Sequence, residues 1–423
     1  MLRVKIGVSN RIITPNGPCY LGGYLKRMEY KSAGINDDLY ANVLYLKTDD
    51  YDFLFISYDL LGVDKYYCEK VKKMIHETCN IFPQNILISA IHTHSAPEGF
   101  PRNVRKGLFT NVYYVDEDYE KFVIEKTMEA IHDSINSLSE VAVFASKGKS
   151  KGLYGNRAQK GKSYDDDIFI IRFENKMGQT IGAIVNFSCH PTVLGEENYY
   201  ISADFVGYMR KVLSKYLNNC VVIALNGSAG DVSTRFTRLS RSFQEAKRIG
   251  EELANQFLRS LKESRKIELN NLRRKDIVFK FDKKTRFNDT DINKQIMKLR
   301  KKMGKLFNNG DKRKIEVQLQ VLENIDKLNK FELKEVEVKI SIIDIGELRV
   351  VSIPGELFSE LGLKIKKCSN KLTLIAGYSE DYIGYIMPEK EYQESGYESL
   401  VTLLPRGSSE KIMNSILNYI GGC

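Results

Sequence analysis

Three of the chain's five histidines stand where short apolar runs stop. His92 and His94 lie in the segment IHTHS (91–95), after the run 85–90. His190 lies in FSCHP (187–191), after the run 182–186. Histidine is the commonest metal ligand and the side chain that titrates nearest neutral pH. Were the first run to continue as a strand, His92 and His94 would point to one face, with Cβ atoms about 7 Å apart. One cation can then take both, or one imidazole can take the cation while the other meets the substrate. Pro191 prevents the second ladder from continuing. Open α/β sheets build their sites where strands end, so the pattern points to a metal-dependent enzyme. A satisfied polar turn is the alternative for each knot.

Other polar groups sit at comparable places. Asp204, in SAD (202–204), precedes an amphipathic stretch and either marks a helix N-terminus or acts directly. NGSAGDVS (226–233) follows the run 220–225. Its small residues let backbone approach a ligand, and exposed N–H groups can hold an oxyanion. Asp231 and Ser233 are candidate orienting groups there, and a plain turn is the alternative. The segment is neither a Walker loop, lacking GK[ST], nor a GxSxG elbow. Glu356, in PGE (354–356), ends another apolar run and is read as beginning a helix. As a hard oxygen ligand it would complete a mixed His/carboxylate set suited to zinc; otherwise it complements the helix dipole. The stretch 377–398 holds Tyr378, Tyr382, Tyr385, Tyr392 and Tyr397 among Gly and Pro. Phenols of this kind are packing or rim residues, metal ligands, or donors to an oxyanion.

Strand patterns at 40–48, 51–58, 85–91, 166–173, 181–188 and 220–225 alternate with helical ones at 64–78, 117–138, 203–217 and 241–263. Asp64 can cap the first helix. Phe243, Ala246, Ile249, Leu253, Phe257 and Leu261 give the last its stripe. Such alternation predicts an α/β fold, a mixed β-sheet core flanked by helices. Residues 265–335 differ, and about 283–333 read as a charged helical hairpin insertion broken at Asn308-Asn309-Gly310-Asp311. Strand signals return at 335–342, 348–353 and 372–376. The whole, 1–423, reads as a single domain.

With 43% hydrophobic residues among 423, a substantial core needs no staples. The formal charge of +10 can signal an anionic partner or a lysine-rich surface. Acidic and basic residues interleave in the charged stretch and aromatics are few there, so no nucleic acid partner is expected. Seven scattered cysteines without a CxxC pair fit a reducing compartment. The first residues show no signal-peptide pattern, and no run approaches the ~20 apolar residues of a transmembrane span. The expectation is a cytoplasmic protein, or a secreted one if the sequence is a mature form.

Taken in order, GVSNRIITP (7–15) with GGY (22–24), HTHS (92–95), NFSCHPT (186–192), NGSAGDVS, PGE and the tyrosine-rich loop resemble the neutral/alkaline non-lysosomal ceramidase family, zinc amidases that cleave the amide of N-acyl sphingosine. The resemblance implies one Zn2+ per chain, held by His92, His190, Glu356 and Tyr385. It places Tyr397, twelve residues after Tyr385 and just before Glu398, as a second active-site tyrosine. His94 matches the second histidine of the family's HTHS and would assist the water or the oxyanion. Arg157 corresponds to an active-site arginine in an Asn-Arg-Ser-Pro segment, with Ala158-Gln159 here in place of Ser-Pro. Ser233 corresponds to a serine in a GDxSPN segment, with Thr234-Arg235 in place of Pro-Asn. Family members usually carry an immunoglobulin-like C-terminal domain and a secretory or membrane-directing N-terminus. Neither pattern is seen here, so the expectation is a catalytic-domain homologue with a small-molecule or lipid-like N-acyl substrate.

The implied activity is hydrolysis of a linear amide by a zinc-activated water. Two other readings stand beside it. One keeps the metal but changes the bond to an ester, a phosphoester or a glycosidic linkage. The other is a non-catalytic lipid- or glycan-binding homologue, which predicts missing ligands.

Overall fold

The computed structural model describes residues 3–24, 27, 30–97, 116–282, 289–305, 312, 315, 316, 318, 319, 322, 335–392 and 397–422. Its largest sheet has nine strands. Eight run in the order Val221–Asn226, Thr180–Phe187, Asp167–Asn175, Ser139–Lys149, Lys5–Ile12, Tyr40–Lys47, Asp52–Tyr58 and Ile86–Ala90, and Arg265–Ile267 pairs with Ser139–Lys149 off that path. The middle is antiparallel. The two outermost pairs are parallel, Val221–Asn226 on Thr180–Phe187 and Asp52–Tyr58 on Ile86–Ala90. Ile86–Ala90 is buried at every position, which is why its sequence is apolar at all but Ser89 rather than alternating.

The sheet curls until its ends meet without closing. Ser57 Oγ donates to Ala224 O (2.7 Å), and Asn226 Nδ2 donates to Ile91 O (3.0 Å). A second sheet, of four strands, lies against the first in the order Leu272–Asp282, Glu335–Ile345, Leu348–Ser352 and Leu372–Ala376. Asn186 Nδ2 ties the two together at Ile375 O (2.8 Å). Phe53, Leu87, Ile184 and Ile223 share one apolar cluster with Val350 and Leu374 between the sheets. A second cluster joins the other face of the large sheet to helices Lys65–Cys79, Glu117–Asn136, Asp204–Tyr216 and Phe243–Ser260. A third joins the small sheet to helices Ser359–Cys368 and Ser408–Ile420. The layers run helix, sheet, sheet, helix, the α/β class the alternation predicts.

Local chemistry sets the element ends. Asp64 caps the first helix by accepting from Tyr67 N at 2.8 Å, a contact worth about 1 kcal/mol. In Phe243–Ser260 the residues Ala246, Ile249, Leu253 and Phe257 are fully buried, as their spacing requires.

Several elements differ from the sequence reading. Leu272–Asp282 is a strand inside the stretch 265–335, where no strand is read from the sequence; Leu272, Arg274, Ile277, Phe279 and Phe281 are at least partly covered, while charged residues and Val278 stand exposed between them. Strands Lys5–Ile12 and Ser139–Lys149 and helix Ser408–Ile420 lie outside the elements read from the sequence. Glu356 does not begin a helix. Glu356–Leu357 pairs with Tyr385–Ile386 as a two-residue parallel ladder, and the helix starts at Ser359. The helix-dipole reading of Glu356 therefore falls. The charged insertion contains the helix Asp289–Met303, whose Ile292 and Leu299 are buried in the third cluster with Ile315, Leu319 and Leu322. The hairpin's turn at 308–311 lies outside the described residues, as does most of its second arm. Cys368 is disulfide-bonded, so the cysteines are not all unpaired; Cys19, Cys68, Cys79, Cys189 and Cys220 are free. No helix among the described residues is long and apolar enough to cross a membrane.

One ion pair is central to the helical face. Arg210 forks onto Asp59, whose side chain is fully buried and also accepts from Tyr40 N (2.9 Å). Replacing Arg210 by Leu strands that carboxylate without its partner and should cost about 3–5 kcal/mol, measured by urea unfolding. Asp59→Asn combined with Arg210→Leu should recover part of the loss.

Candidate metal centre

The two outer strand pairs deliver the histidines. Ile86–Ala90 stops before His92, which takes a left-handed backbone (φ 69°) and donates its own N–H to Leu60 O (3.0 Å). That conformation is uncommon for a residue with a Cβ and is held by surrounding structure. It also corrects the strand-continuation picture: a turn, not pleat alternation, brings His92 and His94 together, with ring centroids 4.8 Å apart. From the other end of the sheet, His190 follows Thr180–Phe187 and forms a parallel bridge to Ser233. The His94 N–H reaches Pro191 O (3.4 Å), which joins the two knots.

The ligand atoms of His92, His94 and His190 lie within 4.8 Å of one another. Nδ1 of His92 donates to Leu61 O (2.8 Å), and Nδ1 of His190 donates to Ala229 O (2.6 Å). Burial holds each of these imidazoles down to about pKa 3, more strongly than Glu356 raises His92, and with Arg157 adding to the effect at His190. Each ring is therefore neutral with its proton on Nδ1, leaving Nε2 as a lone-pair donor. Glu356 Oε2 lies 2.9 Å from His190 Nε2 and 3.6 Å from His92 Nε2 and is buried without a hydrogen-bond partner. A carboxylate oxygen facing two imidazole lone pairs in a water-poor pocket is a donor set for a cation. Zinc, which takes nitrogen and carboxylate oxygen together, fits it.

The supporting groups are mostly tyrosines. Tyr382 OH donates to Glu356 Oε1 (2.6 Å), which fixes the carboxylate so that Oε2 faces the histidines. Tyr378 stacks on His92 with ring centroids 4.1 Å apart. Tyr385 is the register partner of Glu356. Arg157 links it to the histidines, donating from Nη2 to Tyr385 OH (2.9 Å) and from Nη1 to His190 Nε2 (3.2 Å). Glu398 holds the same guanidinium (2.9 Å). Tyr397 packs edge-on to Tyr385 at 6.1 Å, and burial pushes its phenol up. The eight residues that the resemblance assigns to the site, His92, His94, Arg157, His190, Ser233, Glu356, Tyr385 and Tyr397, therefore belong to one neighbourhood. His94 stands nearer the imidazole pair than an assisting role required: its Nε2 is 3.2 Å from His92 Nε2. Gly23, at φ 86°, gives His94 its space, since a Cβ there would meet Nδ1 at 2.3 Å.

The NGSAGD segment does not act as an anion cradle. Gly227 N donates to Phe187 O (2.7 Å), Ala229 N to Gly227 O (3.0 Å) and Gly230 N to Leu357 O (2.8 Å). Its glycines serve packing, because a Cβ on Gly230 would strike Glu356 O at 2.7 Å. Asp231 is an orienting group. It accepts from Asn156 Nδ2 (2.7 Å), Ser359 N (2.7 Å) and Ser359 Oγ (2.9 Å). Ser233 pairs with Gly155 and accepts from Arg235 N (3.2 Å), which places it beside Arg157. Asp204 opens its helix and accepts from Leu194 N (2.9 Å), which anchors the loop beyond His190 rather than reaching the centre. Tyr378, Tyr382, Glu398 and Gly23 carried no assigned role in the sequence. The density of tyrosine in one loop was the available signal for the first two.

Three comparisons bear on this arrangement. The family model described as neutral/alkaline non-lysosomal ceramidase, N-terminal, matches residues 5–237. Two Dictyostelium discoideum proteins, neutral ceramidase B and neutral ceramidase A, are each 26% identical, over 153 and 147 residues. Those matches cover 33% and 32% of this chain, and only 21% and 20% of the relatives' own lengths. The neutral ceramidase of Pseudomonas aeruginosa superposes with a TM-score of 0.79 over 98% of this chain and 74% of that one, at 17% identity, which is a likeness of fold.

The neutral imidazoles carry a pH signature in metal-free protein. Their folded pKa of about 3 lies below the ordinary 6.5, so on acidification the unfolded chain takes up protons first. Their contribution is whole above pH 6.5 and is lost as pH falls towards 3. At pH 5 the loss is on the order of 2 kcal/mol for each histidine. Urea midpoints of metal-stripped protein should drop from pH 7 to pH 5, and His190→Gln should reduce the drop. Equal midpoints at the two pH values would contradict buried neutral rings.

Proposed function

The chain belongs to the neutral/alkaline non-lysosomal ceramidase family, and on that premise we propose that it is a zinc-dependent amidohydrolase that cleaves a linear N-acyl amide, ceramide-like in its bond. One observation carries the reading: three imidazole nitrogens and an orphaned carboxylate oxygen meet at one buried point. His92, His190, Glu356 and Tyr385 would hold one ion. Zinc bound there supplies a nucleophile at neutral pH and Lewis acidity towards a carbonyl oxygen.

The protein's own groups do the rest. Leu61 O and Ala229 O hold the Nδ1 protons, so both rings present Nε2. Tyr382 turns the Glu356 carboxylate. His94, Arg157 and Tyr397 border the same space and are placed to stabilise the charge that develops on the carbonyl oxygen. Ser233 positions the substrate beside Arg157. Among the described residues this is the one compact group of three or more His, Cys, Asp or Glu ligands, which favours a one-metal hydrolase over a two-metal phosphatase. We also assign all 423 residues to one catalytic domain, since each apolar cluster draws on distant parts of the chain.

A metal-replete screen over N-acyl compounds of varied chain length and head group, run against matched esters and phosphoesters with and without chelator, tests the bond. Amides should be the best substrates, and chelation should abolish turnover. His190→Ala should lose zinc and activity together while remaining folded; stoichiometric zinc in that variant would refute the ligand set. Tyr397→Phe should keep zinc and lower kcat by roughly 100- to 1,000-fold, the usual effect of removing one oxyanion donor.

A further inference from the structure

Among the described residues, several arginines gather on one side of the centre. Arg235 and Arg238 lie in the turn that follows Ser233. Arg235 Nη1 donates to the main-chain oxygen of Arg157 (3.2 Å), whose side chain reaches His190 and Tyr385. Arg238 Nη1 donates to Thr192 O (2.8 Å), two residues beyond His190. Arg27 is only 1% exposed, yet it donates to the carbonyls of Gly22, His94 and Asn198, and its Nε has no partner. Among the described residues none of these three arginines forms an ion pair. Of the acids nearby, Glu398 holds Arg157, Glu197 holds Arg241, Asp204 accepts from the main-chain N–H groups of Leu194 and Phe205, and Glu196 lies near Arg27.

Like charges that form no direct ion pair cost stability, and a buried guanidinium held by carbonyls and the Tyr24 ring costs more. Such an arrangement is completed by an anion, because the guanidinium fork matches carboxylate and phosphate oxygens. Arg235 is exposed at the edge of the site, so a ligand can reach it. It is also one of the positions where this chain departs from the family segment that its sequence otherwise resembles.

We propose that this arginine rim recognises an anionic group, carboxylate or phosphate, carried by the substrate close to the scissile amide. The proposal rests on the amidohydrolase reading and narrows it from neutral N-acyl compounds to charged ones. The same turn exposes Phe236 (41%) and Leu239 (81%), so a head group packed in an anionic lipid surface is the other source of that charge. The test separates the two.

Three short substrates suffice, each monomeric in solution: N-octanoylglycine, N-octanoyl-O-phosphoethanolamine and the neutral N-octanoylethanolamine. With zinc-loaded full-length protein, at least one charged substrate should show kcat/KM roughly tenfold above the neutral one, mainly through KM, and added salt should narrow the gap. Arg235→Gln should bring the charged-to-neutral ratio close to one, and Arg235→Glu should invert it. Equal kcat/KM for all three, or a ratio unaltered in both variants, overturns the rim and leaves the amidohydrolase reading standing. No cleavage of any N-acyl compound, these or longer, overturns both. A charge effect seen only when the neutral substrate is dispersed in phosphatidylglycerol vesicles overturns the rim in favour of a lipid surface.

Discussion

Two main-chain carbonyls, those of Leu61 and Ala229, hold the Nδ1 protons of His92 and His190, and the character of the centre follows from that constraint. A buried imidazole that has committed its proton to one side can only accept on the other. Two such acceptors face Glu356 Oε2, an anionic oxygen with no hydrogen-bond partner. Three electron-rich atoms at this separation repel one another, a repulsion that Arg157 eases by donating to His190 Nε2 and that a cation among them would relieve. The surrounding protein enforces the arrangement through the left-handed backbone of His92, the stacking of Tyr378 and the hydroxyl of Tyr382.

The architecture exists to make that meeting possible. His92 and His190 leave opposite ends of the nine-stranded order, and on a flat sheet they would be far apart. Curling brings the ends together, with Asn226 Nδ2 bridging them at Ile91 O (3.0 Å) and Cys189 O (3.0 Å). A separate two-residue ladder then brings in Glu356 and Tyr385 as direct partners. Glycines permit the closeness: Gly230 lies under the carbonyls of Glu356 and Leu357, and Gly355 under that of Gly384.

Charge around the centre is asymmetric. On the Glu356 side, tyrosine hydroxyls and one carboxylate face the histidines. On the Ser233 side, Arg157 is balanced by Glu398, while among the described residues Arg235 and Arg238 donate to carbonyl oxygens and a threonine hydroxyl. The field across the site therefore has a direction, which bears on the orientation of a substrate as much as on its affinity.

Much of this could be read along the chain. Residues 85–91 and 181–188 are apolar enough to be buried strands, and the helical stripe from Ala246 to Phe257 has one reading. The polar knots at strand ends marked His92, His94 and His190 because local composition alone shows where a ladder stops. What sequence could not supply was every relation between distant segments. Leu272–Asp282 hid its strand behind exposed charges, since its partner lies some sixty residues away. Glu356 looked like a helix start because nothing local reveals a ladder with Tyr385. The N–H groups of residues 227–230 looked free for a ligand because their acceptors, Phe187 O and Leu357 O among them, belong to other elements. Residue types thus set which atoms can bind a metal. The curl of the sheet set which of them meet, through long-range hydrogen bonds and shared apolar burial that no single stretch of chain encodes.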